Sequence, residues 1–258
     1  MSFFLLDFNE IDHSFCESTI YGNPPEYINS ISALFLSFIG FFGIMMNKKI
    51  NKIKFVYSAM IINGLCSFMY HYTNSIGWGL MDRFSMVLIA IPCYFLSLDF
   101  FNLSKKSEPF GYERDLSLPK ELIRIFITLY ITILLTSIGL HNETLFNYLF
   151  GFFLISIFFF LMYLESNNKK LLIPRNILNI GWKGIFYLIT AGIFWILTEK
   201  LCYKYYFIKY LFGHSFWHIG ISYGGYLMSL VPVYLYDKDN YLKLDYYLNI
   251  PYIVFFEN

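Results

Sequence analysis

Apolar runs of about twenty residues recur along this chain, and a helix of that length crosses the hydrocarbon core of a bilayer. Seven such runs occur, at 27–46, 53–72, 83–101, 121–140, 144–164, 183–198 and 212–236. Of the 258 residues 57% are hydrophobic and only 14% are charged, too few charges to cover the surface of a soluble domain of this size. Glycines and polar residues inside the runs fit packed membrane helices. The expected fold is an all-α integral membrane bundle of seven transmembrane helices. Residues 26–236 form the membrane domain, residues 1–25 an N-terminal tail and residues 237–258 a C-terminal tail. A net charge of +1 and the lack of a basic patch with interleaved aromatics exclude nucleic acid as a partner. Nothing in the sequence points to a protein partner.

Residues 1–25 carry Asp7, Glu10, Asp12 and Glu17 but no Lys or Arg, so the basic start of a cleavable signal peptide is missing. Positive charge falls between runs instead. Lys48, Lys49, Lys52 and Lys54 follow the first run, Lys105, Lys106, Arg114 and Lys120 the third, and Lys169, Lys170 and Arg175 the fifth. The segments after the second and fourth are nearly free of it; the segment after the sixth departs from the pattern with Lys200, Lys204 and Lys209. The positive-inside rule therefore puts the N-terminus in the lumen or outside the cell and the C-terminus in the cytosol.

With that orientation, odd-numbered helices descend and even-numbered helices ascend. His214 and His218 open the seventh helix four residues apart, on one face. His71 ends the second helix, one turn beyond Ser67. Asp82 is read as the first residue of the third helix, in the place of an N-cap, after a turn holding Gly77 and Gly79. Glu26 follows Pro24-Pro25 at the start of the first helix and shares a polar face with Asn29 and Ser32. All of these fall at one level, the lumenal rim. Polar and ionisable side chains in an apolar segment must look into the bundle. Three neutral imidazoles with an open position suit catalytic zinc. The site reads as His71, His214 and His218 on Zn²⁺, with Asp82 beside the attacking water. His13 and His141 are lumenal as well, but in tail and loop. Among four cysteines, Cys66 and Cys93 lie within apolar helices as reduced packing residues. Cys16 and Cys202 fall in lumenal segments, where disulfides form, and are expected to pair. Asn142-Glu143-Thr144 is a glycosylation sequon close to the membrane.

Ser67-Phe68-Met69-Tyr70-His71, Asp82 eleven residues on, and His214-Ser215-Phe216-Trp217-His218 resemble the motifs of the alkaline ceramidases, seven-helix zinc amidases whose wider superfamily includes adiponectin-receptor-like proteins. Cys16-Glu17, the series Glu26, Asn29, Ser32, and Trp195 ahead of Lys200-Leu201-Cys202 resemble that branch specifically. The resemblance covers about residues 14–230. It implies hydrolysis of ceramide to a sphingoid base and a fatty acid, in a multi-pass protein of the endoplasmic reticulum or Golgi membrane. Asp82 would act as the proton-transfer residue and Ser67 as a donor to the developing oxyanion. It also implies a calcium ion near the zinc, for which Glu17 and Glu26 remain as matching ligands. Ca²⁺ takes six or more oxygens, so backbone carbonyls and Asp12 would have to complete the shell. The family's Asp-Trp before Cys-Glu is Ser14-Phe15 here, its Glu-Asn after that pair is Ser18-Thr19, and its acidic residue after the Asp of the third helix is Arg83. Its Asp-Asn after the tryptophan of the sixth helix is Thr198-Glu199. These departures bear on substrate preference or regulation and spare the zinc set. Two other readings stay open: a receptor-like protein with structural zinc, and a hydrolase of another lipid, such as a phospholipase or glycolipid remodeller.

Overall fold

The computed structural model describes residues 15–21, 25–47, 51–105, 118–236 and 241–255. Among these, seven long helices follow one another: α1 (Tyr27–Met46), α2 (Asn51–Thr73), α3 (Ile76–Lys105), α4 (Leu118–His141), α5 (Glu143–Ser166), α6 (Arg175–Leu201) and α7 (Gly213–Tyr236). The first six are long and apolar enough to cross a membrane, and the chain is an integral multi-pass membrane protein. Helix α7 is as long as α4 and α5, but its two histidines, three glycines beyond Gly213 and three serines dilute its hydropathy. That dilution is on the side it turns to its neighbours, where His214, Ser215, His218 and Ser222 are all buried.

Helix α1 packs between α2 and α7, α2 continues to α3, and α6 pairs with α7; α5 bridges α3 and α6, and α4 packs on α3 and α5. Small residues set the α6–α7 and α1–α2 crossings, since lipid offers helices no hydrophobic drive to associate and close backbone contact takes its place. A Cβ on Gly184 would lie 2.6 Å from the Gly224 carbonyl oxygen, and one on Gly224 would lie 2.7 Å from that of Gly184. At the α1–α2 crossing a Cβ on Gly40 would lie 2.6 Å from the Tyr57 carbonyl oxygen. The main core, with Ile39, Tyr57, Leu178, Tyr226 and Leu230 fully buried, fills the end of the bundle away from the histidines.

Three expectations need correction. Helix α3 begins at Ile76, so Gly77 and Gly79 are helical and Asp82 lies nearly two turns inside rather than at the cap. Helix α6 begins at Arg175, well before residue 183: Ile177, Leu178, Ile180 and Gly181 bury one face while Asn176 and Asn179 lie on the other and interrupt the apolar run. The fold is not all-α throughout, because the C-terminal tail carries two strands. Tyr241–Tyr247 (β1) and Ile250–Phe255 (β2) pair antiparallel across Leu248-Asn249, both at positive φ as a type I′ hairpin turn requires. This hairpin, an addition to the all-α bundle, docks on α7 through a hydrogen bond from the Tyr226 hydroxyl to the Pro251 carbonyl at 2.7 Å.

Candidate metal centre

His71, His214 and His218 meet at one end of the bundle. Their ring centroids are 4.7–5.0 Å apart, each offers a nitrogen within 4.8 Å of the others, and all three are buried. Helix α7 starts directly after Phe212, which turns the chain in the left-handed region at φ 48°. Gly213 follows because a Cβ there would run into the Thr198 hydroxyl of α6. That contact fixes where the first turn of α7, and so His214, can lie.

The outer nitrogens show how two rings are held. His71 Nδ1 lies 2.7 Å from Glu26 Oε2, so it donates to a carboxylate and leaves Nε2 with its lone pair. His218 Nδ1 lies 2.8 Å from Ser32 Oγ. The Ser32 hydroxyl donates its only hydrogen to the Asn29 carbonyl at 2.9 Å, so it must accept from His218. Both rings are thus in the tautomer that points an unprotonated Nε2 inward, as divalent-metal ligation demands. Phe15 packs on His71 and His214 at centroid distances of 4.9 and 4.3 Å, and Trp195 meets His214 edge-on at 5.0 Å while stacking on Trp217. These walls keep the nitrogens dry.

Asp82 and Ser67 share one pocket with His214 and His218. Asn63 donates to Asp82 Oδ1 at 2.8 Å and to Ser85 Oγ at 3.0 Å. Ser67 Oγ is 3.5 Å from His218 Nε2, at the outer limit of a hydrogen bond. Arg83 and Asn147 line the same pocket. Leu36, Asn63, Met86 and Ile221 are common to it and to a deeper apolar cavity that runs down the bundle to Ile53, Ser97 and Pro232. The polar pocket is therefore the head of a long apolar chamber.

Sequence reasoning missed Asn63, although it lies one turn before Ser67 and two before His71, a polar stripe at spacing four on an otherwise apolar helix. It also missed the network beneath residues 15–21, the N-terminal strap. Glu17 accepts from the Ile28 and Asn29 amides at 2.6 and 2.7 Å and so caps α1 from outside its own segment. Burial pushes the Glu17 carboxyl above its ordinary pKa against the pull of those two amides. Burial works the same way on Glu26, but His71, Ser18 and Asn29 outweigh it and hold that carboxyl below the usual range. Cys16 and Cys202 form a disulfide with Cα atoms 6.1 Å apart, joining the strap to the end of α6. Cys66 and Cys93 are free thiols. His141 is the last residue of α4 and exposed. Asp12 and His13 lie outside the described residues.

The family model described as Ceramidase matches residues 10–254, nearly the whole chain. No curated protein matches it.

Proposed function

Because the chain belongs to the ceramidase family, we propose that it is a zinc-dependent amidase that cleaves ceramide within the membrane into a sphingoid base and a free fatty acid. The observation that carries this reading is the convergence of three buried imidazoles with Asp82 at the head of an apolar chamber. His71, His214 and His218 would hold Zn²⁺, and three protein ligands leave the open position that separates a catalytic site from a closed structural one. Bound there, the ion would supply Lewis acidity, polarising the amide carbonyl and lowering the pKa of water.

The chain's own groups account for the rest. The apolar chamber takes a hydrocarbon chain of the substrate and sets the amide at the histidine end. Asp82, oriented by Asn63, accepts the proton of the attacking water and returns it to the leaving nitrogen as the C–N bond breaks. The Ser67 hydroxyl donates to the carbonyl oxygen as negative charge gathers on it, a bond worth more behind the walls of Phe15, Trp195 and Trp217 than in water. In this reading all seven long helices span the bilayer. The distribution of Lys and Arg supports a lumenal N-terminus and a cytosolic C-terminus, in the endoplasmic reticulum or Golgi membrane.

The test is purified protein in lipid nanodiscs, given labelled ceramide and labelled phospholipid in parallel, with and without a zinc chelator. Release of fatty acid from ceramide alone, abolished by the chelator and restored by Zn²⁺, is the expected result. Turnover of phospholipid alone would assign the other-lipid hydrolase. Stoichiometric zinc with no turnover of either lipid would assign the receptor-like reading.

A further inference from the structure

The family resemblance implies calcium beside the zinc, held by Glu17 and Glu26, and the geometry of those two carboxylates does not fit it. All four of their oxygens accept hydrogen bonds. Glu17 takes the Ile28 and Asn29 amides. Glu26 Oε1 takes the Phe15 amide at 3.0 Å and the Ser18 hydroxyl at 2.5 Å. Glu26 Oε2 takes Asn29 Nδ2 at 3.1 Å and His71 Nδ1. Ca²⁺ needs about six to eight oxygens at 2.3–2.6 Å, yet here the carboxylates face N–H and O–H hydrogens. Three of those donors are backbone amides that cannot turn away. Thr19 sends its hydroxyl to the Cys16 carbonyl at 2.7 Å, and the Lys209 ammonium lies 3.5 Å from the Thr19 carbonyl, a cation already beside the strap.

One residue joins these bonds. The Asn29 amide holds Glu17, and its Nδ2 holds Glu26, which holds His71. Its carbonyl accepts from Ser32, which holds His218. Its Oδ1 accepts from Ser215 at 2.8 Å, next to His214 on α7. All four polar atoms of Asn29 are used, and each leads to the strap or to a residue bonded or adjacent to one of the three histidines. We propose that in this chain a calcium-free hydrogen-bond hub centred on Asn29 locks the N-terminal strap to α1 and sets the orientation of the three histidines. Asn29 is a positioning residue: it touches neither metal nor substrate. The proposal rests on the zinc reading above, and measuring calcium and zinc separately distinguishes failure of one from failure of the other.

The experiment uses the full chain in nanodiscs. Metal content is determined after purification without added calcium. Thermal unfolding is then followed in EGTA and in millimolar CaCl₂, and zinc release to a chromophoric chelator is timed. The expected result is no stoichiometric calcium and the same unfolding midpoint in both buffers. Asn29→Ala should release zinc roughly 10-fold or more faster, as loss of an outer-shell partner does, and should alter the visible spectrum of the cobalt-loaded protein. Asn29→Gln, which keeps the amide but misplaces it, should fall between Ala and the native residue. One bound calcium per chain, or a rise of the native protein's midpoint with CaCl₂, would overturn the proposal even if neither variant folds. An unchanged cobalt spectrum and zinc release in folded Asn29→Ala would overturn it as well.

Discussion

The two ends of this bundle handle buried polarity in opposite ways. At the histidine end Glu17, Glu26, Asn29, Ser67, His71, His214, Ser215 and His218 are all buried, and their bonds run between the strap, α1, α2 and α7. At the far end the buried polar groups are the Tyr57 and Tyr226 hydroxyls and the Asn47 amide, set at the edges of large apolar side chains, with Asn47 Nδ2 3.4 Å from the Tyr57 hydroxyl. Tyr57 meets Ser229 at 2.6 Å, Tyr226 meets the Pro251 carbonyl, and both rings sit among Phe42, Leu227 and Leu230. A polar group in an apolar setting costs free energy unless it is bonded, and a network costs most when it is only partly bonded. The far end keeps that exposure small and holds the helices together through packing. The histidine end accepts it because an inward-facing lone pair must be fixed by something outside the ring. Function and stability are therefore divided along the helix axis, so substitutions at the two ends should change different observables.

The sharpest way to break that division is to remove a ligand. His71→Ala, His214→Ala and His218→Ala should each lower ceramide turnover to the level of chelator-treated protein and leave less than one zinc per chain by elemental analysis. Any one of them retaining both would dissolve the trio. Asp82→Asn comes next. It should keep full zinc while turnover falls about 10²–10⁴-fold, the range for a missing proton-transfer group. Full activity in that variant would take Asp82 out of the reaction.

How much of this contrast can be read from the sequence depends on background. On an apolar helix a polar residue has no solvent-facing excuse, so His71, Ser67, His214, His218, Glu26 and Asn29 stand out by type and spacing alone. Helix limits are harder, because the same rules mark caps and functional residues. Asp82 after two glycines reads as an N-cap, yet glycine is tolerated inside membrane helices and α3 runs through Gly77 and Gly79 from Ile76. The polar residues Asn176, Asn179 and Lys183 hide the start of α6 by breaking an apolar run that continues on its buried face. The hairpin is invisible for a different reason. Its turn is Leu248-Asn249 rather than a glycine-bearing pair, and β1 puts Leu242, Tyr246 and Tyr247 on the exposed side, so no alternation announces a strand. The pairing of strap with α1 is also hidden, since Glu17 caps a helix that begins ten residues after it.

The strap tests how far the histidine end depends on covalent support. Cys202→Ser opens the Cys16–Cys202 link, which joins segments 186 residues apart. A native disulfide contributes about 2–4 kcal/mol, so the unfolding midpoint should drop and reducing agent should have no further effect on the variant. If Asn29 and the carboxylates hold the strap as their geometry indicates, zinc stays bound once the disulfide is gone. Loss of zinc at a temperature where the variant is still folded would make the disulfide, rather than the hydrogen bonds, the main support of the site.

The smallest expected effect lies at the far end and sharpens the comparison most. Tyr57 is fully buried, and its hydroxyl donates to Ser229 Oγ, because Ser229 sends its own hydrogen to the Tyr226 carbonyl at 2.7 Å. Tyr57→Phe keeps the ring that packs on Phe42 and Tyr226 and removes that bond together with the longer one accepted from Asn47 Nδ2 at 3.4 Å, a loss of about 1–2 kcal/mol. The midpoint should fall slightly, with zinc release and turnover per folded molecule unchanged. The residue sits on α2, the same helix that ends in His71, so a shift in zinc release would mean that α2 transmits strain along its length. Without such a shift, the far end acts as a foundation that the metal centre stands on but does not sense.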